Sequence, residues 1–515
     1  MTYSSLQHGL LNLPGSTPQS KTELLRLLRL DYEQYHCVFN TAGMHNHLSH
    51  HLLAAYDLGA PTPLLTSIFE KEAALQRPAD LGEVGFDLTG APQVGEVNEG
   101  NWTKWLGDER AYPAYVNFFA DIVRQQGISG AVDEYLFGKS ANEKGVSMLL
   151  RFMGGLMHPI IHLGFGIEFA EPMMVTAGLA QCAVGTDSLL PGVDPIDPKF
   201  NTSPSNGRLP LLGVLRDIYD SSVLTPIMPY DADYEYPQRF RDLLADGQRQ
   251  REMERIVDSW HIDVNNIDRN VEEAILVTTL IVFGTGKSGR LPRLDFFTNH
   301  FLTSAIFFPS ILNALPNASQ KIILLKTWFF YLGLWLVDRG RPRIDSTLLM
   351  SYSAFPKPPL RQVVHADASA VGAPNSDEDT NPWPIMLGCV IHAPDAHTIK
   401  TFRALYWASQ QYGTRTAGSF HGVFDNRSGS ESHRGISKVD GTLFVRAAGI
   451  LMDMMGWVTY GEKAGKWDRS GLGWDAAWEV DDITNREKWR ALEYEDLRWQ
   501  FEGKEATEGD ARARL

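Results

Sequence analysis

Cysteine is nearly absent from this chain: Cys37, Cys182 and Cys389 are the only three in 515 residues, and none forms a Cys-x-x-Cys pair. That argues against a disulfide framework, a zinc ribbon or a cysteine-held iron–sulfur cluster. Basic charge is in deficit too, with 47 Lys and Arg against 62 Asp and Glu and a formal charge of −15. A nucleic-acid or anionic-membrane surface needs the opposite sign, so neither partner is expected. Met1–Pro14 lacks a basic segment leading into an apolar run, so no secretory signal is visible. The greasiest stretches, Ala274–Phe283 and Thr327–Val337, fall short of the roughly 18 apolar residues that span a bilayer. A cytoplasmic enzyme is the expectation.

Signatures of common chemistries are missing as well. Gly286-Lys287-Ser288 follows a strand-like Ile275–Phe283, but a phosphate-binding loop needs glycine at position 281, which is isoleucine, and Arg290-Leu291-Pro292 replaces the required helix. Gly164-Phe165-Gly166-Ile167-Glu168-Phe169 ends in phenylalanine and so fails the dinucleotide fingerprint. No Gly-x-Ser-x-Gly elbow exists for a serine hydrolase. The carboxylate pairs Asp231/Asp233 and Asp481/Asp482 lie in polar, turn-like contexts and read as solvated faces.

Helical periodicity is what the chain does have. Leu24, Leu25, Leu27, Leu28 and Leu30 form one amphipathic stripe; Leu48, Leu52, Ala55 and Leu58 form another, closed by Gly59. Tyr115–Val123, Val146–Met157, Val271–Phe283, Phe301–Leu312, Lys321–Val337 and Thr398–Gln411 also read as helices. Few segments alternate strictly, so the fold class is mainly α: one large helical domain over residues 1–500 with long loops. Pro191–Pro210 and Ala366–Pro384 are the expected loops. The Trp-rich stretch Trp457, Trp467, Trp474, Trp478, Trp489 and Trp499 reads as a C-terminal extension, and residues 501–515 as a charged, disordered tail.

Histidines then dominate the argument. They gather in Met44-His45-Asn46-His47-Leu48-Ser49-His50-His51, in Met157-His158-Pro159-Ile160-Ile161-His162, in Asp295–His300, at His392, and in Asp395-Ala396-His397-Thr398-Ile399-Lys400. A lone core histidine is more often a hydrogen-bonded filler than a ligand. Several in apolar helices make that reading weaker, because each buried imidazole needs a partner, and convergent imidazoles point to a metal or an acid/base site. His47 and His51 share a helical face with Ala54 and Leu58. Pro159 should push His158 out of helical geometry and make itself the first helical residue. His300 should open a helix with Phe301. Asp395 is a plausible N-cap for the helix carrying His397 and Lys400, which are three apart and neighbours on one face. Lys400 is an outer charge, a neutral base, or an oxygen ligand after carbamylation by CO₂. Imidazoles plus one oxygen donor suit Fe, Zn, Cu or Ni.

These strings, together with Leu58-Gly59-Ala60, Asn101-Trp102 with Leu106-Gly107, and His397-x-x-Lys400-x-x-Arg403-Ala404-Leu405, resemble the questin oxidase-like family, in order from about residue 40 to about residue 480. Members of that family, also labelled Baeyer–Villiger-type oxidases, open an anthraquinone ring in fungal polyketide pathways. The resemblance implies a small aromatic polyketide substrate, O₂, Fe(II) without flavin, and the NADPH that the family label carries as reductant. It also implies the ligand set: His47, His158, His300 and His397, with Lys400, as a carbamate, the fifth donor. His45, His50, His51 and His162 then face substrate or support the ligands, and Lys400, His51 and His162 are the candidate catalytic groups. Asn46, Asp295, Asn299 and Asp395 are candidates to hold ligand N–H groups. The alternatives are an NADPH-dependent oxidase with no tight metal site, a metal-dependent hydrolase, and a non-catalytic member of a biosynthetic complex.

Overall fold

The computed structural model describes residues 7–479 apart from 41–42, 144, 186–207, 232–235, 246, 360–365, 375 and 426. Among the described residues there are eighteen α-helices, and extended pairing is confined to isolated bridges such as Asp295 with Asp468. The mainly α, single-domain expectation holds: one continuous apolar core runs from Leu11 to Trp467.

Local chemistry explains where the helices start. Pro18–Gln34 begins with proline in its first turn, behind a Thr17 cap whose side chain accepts from Ser20 N–H, and buries Leu24, Leu27, Leu28 and Asp31. Leu48–Asp57 stops where Gly59 takes φ +87°; a Cβ there would sit 2.5 Å from the Pro14 carbonyl oxygen. Ala318–Asp338 starts with an Asn317/Gln320 capping box and is buried on all sides from Ile322 onward. It is long and apolar enough to cross a membrane, which its sequence understated, but 89% of its most apolar window is covered by the fold. A helix apolar all round is what the centre of a large helical domain needs. At about 1.5–3 kcal/mol per fully buried large side chain, it is a main source of cohesion.

Several boundaries differ from the sequence reading. The strand-like Ile275–Phe283 is the second half of the helix Ile267–Phe283. The run from Val146 breaks after the helix Met148–Met153, because Gly154 leaves helical geometry (ψ −179°). Phe301–Leu312 is two helices, Phe296–Ala305 and Phe308–Ala314, the second begun by Pro309. Of the tryptophans read as an extension, Trp457 and Trp467 belong to the main core, whereas Trp478 packs with Leu472 and Ala477 in a separate small cluster. Trp489, Trp499 and the predicted tail lie outside the described residues, as does most of Pro191–Pro210. Ala366–Pro374 is exposed loop, as expected.

Candidate metal centre

Four segments deliver imidazoles to one point. His47 immediately precedes the helix Leu48–Asp57; His158 is the first residue of His158–Glu168. His300 lies in Phe296–Ala305, and His397 in the first turn of Ala396–Tyr412. Asp295 and Asp395 cap the last two helices, each accepting two backbone N–H bonds. His300 therefore sits one turn inside its helix rather than opening it, because Asp295 has already started it.

The turn before His158 corrects another expectation. His158 is helical (φ −62°, ψ −41°) despite the following proline. The distortion sits upstream, where Gly155, Leu156 and Met157 take φ +51°, +54° and +64°. Two side-chain-bearing residues in that region cost roughly 1–3 kcal/mol each. The turn places the Gly155 carbonyl where His158 Nδ1–H donates to it at 2.6 Å. Gly155 is glycine for a second reason: a Cβ would lie 2.5 Å from His45 Cε1, and the His45 ring stacks on His158 at 4.3 Å.

The tautomers follow from these bonds. His300 Nδ1–H donates to the Phe296 carbonyl at 2.8 Å, and His397 Nδ1–H to Asp395 Oδ1 at 2.8 Å. With His158, three rings are held at Nδ1, leaving each Nε2 as a lone-pair donor. One ligand atom from each of His47, His158, His300 and His397 lies within 4.8 Å of every other. His47 Nε2 and His158 Nε2 are 2.8 Å apart, whereas His300 Nε2 and His397 Nε2 are buried with no hydrogen-bond partner. Buried polar atoms are rarely left so. Imidazole nitrogens on opposite sides of one ion, each at about 2.1 Å, would be about 4.2 Å apart, so the span fits a single cation after a small contraction.

The electrostatics favour the ligand form. Burial, reinforced by the neighbouring histidines and Lys400, holds His47, His158 and His300 well below the usual histidine range. His397 is lowered as well, chiefly by burial, with Asp395 opposing. All four are neutral near pH 7, as coordination requires. Burial pushes the Lys400 ammonium down to about 8, against the pull of Asp395 and Glu72, and its Nζ is buried without a hydrogen-bond partner.

Other predicted residues are placed less simply. Asp395 does hold the Nδ1–H of His397, one of the four candidate ligands. Asn46, Asp295 and Asn299 do not: Asn46 bonds Asp31 at 2.7 Å and accepts from Leu48 N–H, Asp295 pairs with Arg339 at 2.9 Å, and Asn299 accepts from Thr401 at 2.7 Å. Backbone carbonyls of Gly155 and Phe296 take that role instead, and carbonyls carry no sequence signal. His51 Nδ1 meets Glu72 at 2.9 Å while its Nε2 is buried unpartnered. His162 Nδ1 is 3.1 Å from His50 Nε2, and its own Nε2 is unpartnered. His392 is exposed and takes no part in the cluster. The sequence reading missed Glu72, and it missed Trp467, whose indole N–H donates to Asp395 Oδ2 at 2.8 Å. Farther along Ala396–Tyr412, Arg403 is buried between Asp57 (2.8 Å) and Glu168, tying together three of the four segments. A large open cavity of about 900 Å³, bounded by Arg269, Trp407, Tyr412, Phe420 and Phe424, includes none of the four histidines.

The family model for questin oxidase-like proteins matches residues 44–405, opening one residue before His45 and closing two after Arg403. This chain belongs to the questin oxidase-like family. It is 25% identical over 350 residues to a Baeyer–Villiger monooxygenase from a Cryptosporiopsis species, covering 67% of this chain and 76% of that one. It is 27% identical over 285 residues to a questin oxidase from Aspergillus fumigatus, covering 55% and 62%. A questin oxidase from Aspergillus terreus is 26% identical over 333 residues, covering 63% and 71%. All four histidines and Lys400 of this questin oxidase-like chain fall inside the matched region; Trp467, which steadies Asp395, falls after it.

Proposed function

We propose that this chain is a non-haem iron oxygenase that uses O₂ to cleave a ring of an anthraquinone-type polyketide, giving a benzophenone-type product. The observation that carries the reading is the convergence of four neutral imidazoles, two of them with buried, unpartnered Nε2 atoms. The relatives' names, questin oxidase and Baeyer–Villiger monooxygenase, support an oxidoreductase. A redox-inert ion would not serve an oxidase, which favours iron among the metals that imidazoles accept.

His47, His158, His300 and His397 would hold the ion through Nε2. Lys400 would supply an anionic oxygen once its neutral amine has added CO₂; the buried, unpartnered Nζ near pKa 8 suits that reaction. When bound, Fe(II) would supply an O₂-binding, electron-donating centre. The chain does the rest. Asp395 and the Gly155 and Phe296 carbonyls fix the ring orientations, and burial of Lys400, His158 and His300 keeps bulk water from the reacting atoms. The His51–Glu72 pair is the candidate acceptor for a substrate proton. NADPH remains the candidate reductant.

Anaerobic loading of the purified chain with Fe(II) or Zn(II), followed by O₂ uptake and mass analysis of anthraquinone products formed under ¹⁸O₂, tests the proposal. Iron-dependent uptake with heavy oxygen in a ring-opened product is the expected result. Equal turnover with zinc and no O₂ consumption would convert the reading to a hydrolase. Turnover with NADPH in metal-free protein would convert it to a metal-independent oxidase.

A further inference from the structure

A second concave site lies away from the histidine cluster: the open cavity of about 900 Å³, whose lining contains none of the four histidines. Its place is set by the helix Ala396–Tyr412. The first turns of that helix carry His397 and Lys400, and its last turns bring Trp407 and Tyr412 to the cavity wall. Trp407 lies ten residues beyond His397, roughly 15 Å at about 1.5 Å per residue. A molecule held against Trp407 is therefore not held against the imidazoles.

The walls are aromatic. Trp407 and Phe420 are 5% and 3% exposed, Tyr412 is partly exposed, and Phe424 is half exposed. The Trp407 and Tyr412 rings meet edge to face, with 6.0 Å between centroids and 88° between planes. Cavities of about 300–1,000 Å³ with such walls and a few fixed polar atoms are the usual form of a small-molecule site.

The fold also fixes the polar atoms. Buried Glu273 accepts from the Trp260 indole N–H at 2.8 Å, from the Asn270 amide at 3.1 Å and from His421 Nδ1–H at 2.6 Å. That bond sets the tautomer of His421, whose Nε2 on the cavity wall keeps a lone pair for a hydroxyl donor. Donors are present as well. Among the described residues nothing hydrogen-bonds the Trp407 indole N–H or the Arg269 guanidinium, and both suit a carbonyl oxygen. Charge excludes other ligand classes. Arg269 and Arg415 are matched on the lining by Asp268 and Glu272, and Arg415 already donates twice to Glu272, at 2.6 and 2.8 Å. No surplus of positive charge is left for a phosphorylated molecule.

We propose that this cavity binds a flat, unphosphorylated aromatic molecule carrying both a hydroxyl and a carbonyl, at a site separate from the histidine cluster. The aromatic walls take the ring, His421 Nε2 accepts from the hydroxyl, and the Trp407 N–H and Arg269 donate to the carbonyl. The inference does not rest on the oxygenase reading. It goes beyond it by giving the chain a second place where such a molecule is held without reacting.

Anaerobic equilibrium binding to the full, metal-free chain tests it, with 2-hydroxyanthraquinone as the probe and 2-methoxyanthraquinone as the analogue that lacks the donor. Wild type should bind the hydroxy compound saturably and the methoxy compound about 3- to 10-fold more weakly, as loss of one hydrogen bond implies. NADP⁺, a polyanion, should not displace the probe. Trp407→Phe and Phe424→Ser should each weaken binding by a similar factor with helicity unchanged, His421→Phe should erase the preference for the hydroxy compound, and Lys400→Met should bind as wild type does. No saturable binding by wild type, undiminished binding in both W407F and F424S, or displacement by NADP⁺ would overturn the inference. Loss of binding in K400M with the cavity variants unaffected would return the ligand to the histidine cluster and overturn it too. None of these outcomes touches the oxygenase reading, which is read from heavy-oxygen incorporation. If W407F or H421F loses its fold, Phe424→Ser, at an exposed position, decides with the two probes alone.

Discussion

The apoprotein should be acid-labile over a narrow range. Burial is the main cause holding His36, His162 and His433 near a pKa of about 4 and His45 near about 3, against an ordinary 6.5. In each case the folded protein keeps a neutral ring while the unfolded chain takes up a proton as the pH falls through 6.5. Stability is thus fully present above that value and drains away as the pH drops towards the folded pKa. Between about pH 7.5 and about pH 5.5 each ring costs roughly 1.3 kcal/mol, so these four alone remove roughly 5 kcal/mol. That is comparable to the whole stability of an ordinary domain, about 5–15 kcal/mol. His47, His50, His158, His300 and His397 are shifted in the same direction and steepen the loss. Urea unfolding followed by far-ultraviolet circular dichroism at the two pH values measures the difference directly. A divalent ion held by His47, His158, His300 and His397 would compete with the protons of those four rings, so metal loading should move the acid midpoint downward. An unfolding free energy that is flat over this interval in metal-free protein would refute the claim that these imidazoles are buried and neutral.

Asp395→Asn should keep most of the helix cap but lose the charge that holds His397 Nδ1–H, and its amide would oppose the Trp467 indole; metal affinity should fall about 10- to 100-fold in a chelator competition, while thermal stability falls by about 1 kcal/mol. Gly155→Ala should push a Cβ into the His45 ring and strain a position at φ +51°, costing about 1–3 kcal/mol by chemical denaturation and loosening metal binding through His158. Lys400→Met fills similar volume and removes an unpartnered buried amine, so the fold should be as stable as wild type or about 1 kcal/mol more so, whereas oxygenase turnover should fall at least tenfold; unchanged turnover would take Lys400 out of the site. His392→Ala should change neither iron content nor turnover, since that ring is exposed and outside the cluster.

How much of this was legible in the sequence depends on distance along the chain. The helices bearing the ligands announce themselves locally, by apolar periodicity and by capping aspartates, and Asp395 with His397 is a two-residue relation any reader can see. Glu72 meets His51 across 21 positions and Trp467 meets Asp395 across 72, and no periodicity encodes such pairings. The turn at Leu156 and Met157 was hidden for another reason. Its positive φ angles fall on residues that ordinarily avoid them, so tertiary context overrode local preference, and the helix appeared to run on to Met157. Asn46, Asp295 and Asn299 look like ligand supports by type and proximity, yet each has an oxygen or amide engaged by a neighbour that helps to build the fold.

The Trp467 indole bond gives the centre an order in time. His47 is made early, and roughly 420 further residues must be synthesised before Trp467 can reach Asp395. At about 5–20 residues per second that interval is roughly 20–80 s, during which the earlier histidines have no finished cage to enter. On the proposed metal reading, the complete centre with its steadied Asp395 would form only after Trp467 has emerged. On that reading the segments of His47, His158 and His300 would wait for His397 and Trp467, and protein left without the metal would be the acid-labile form.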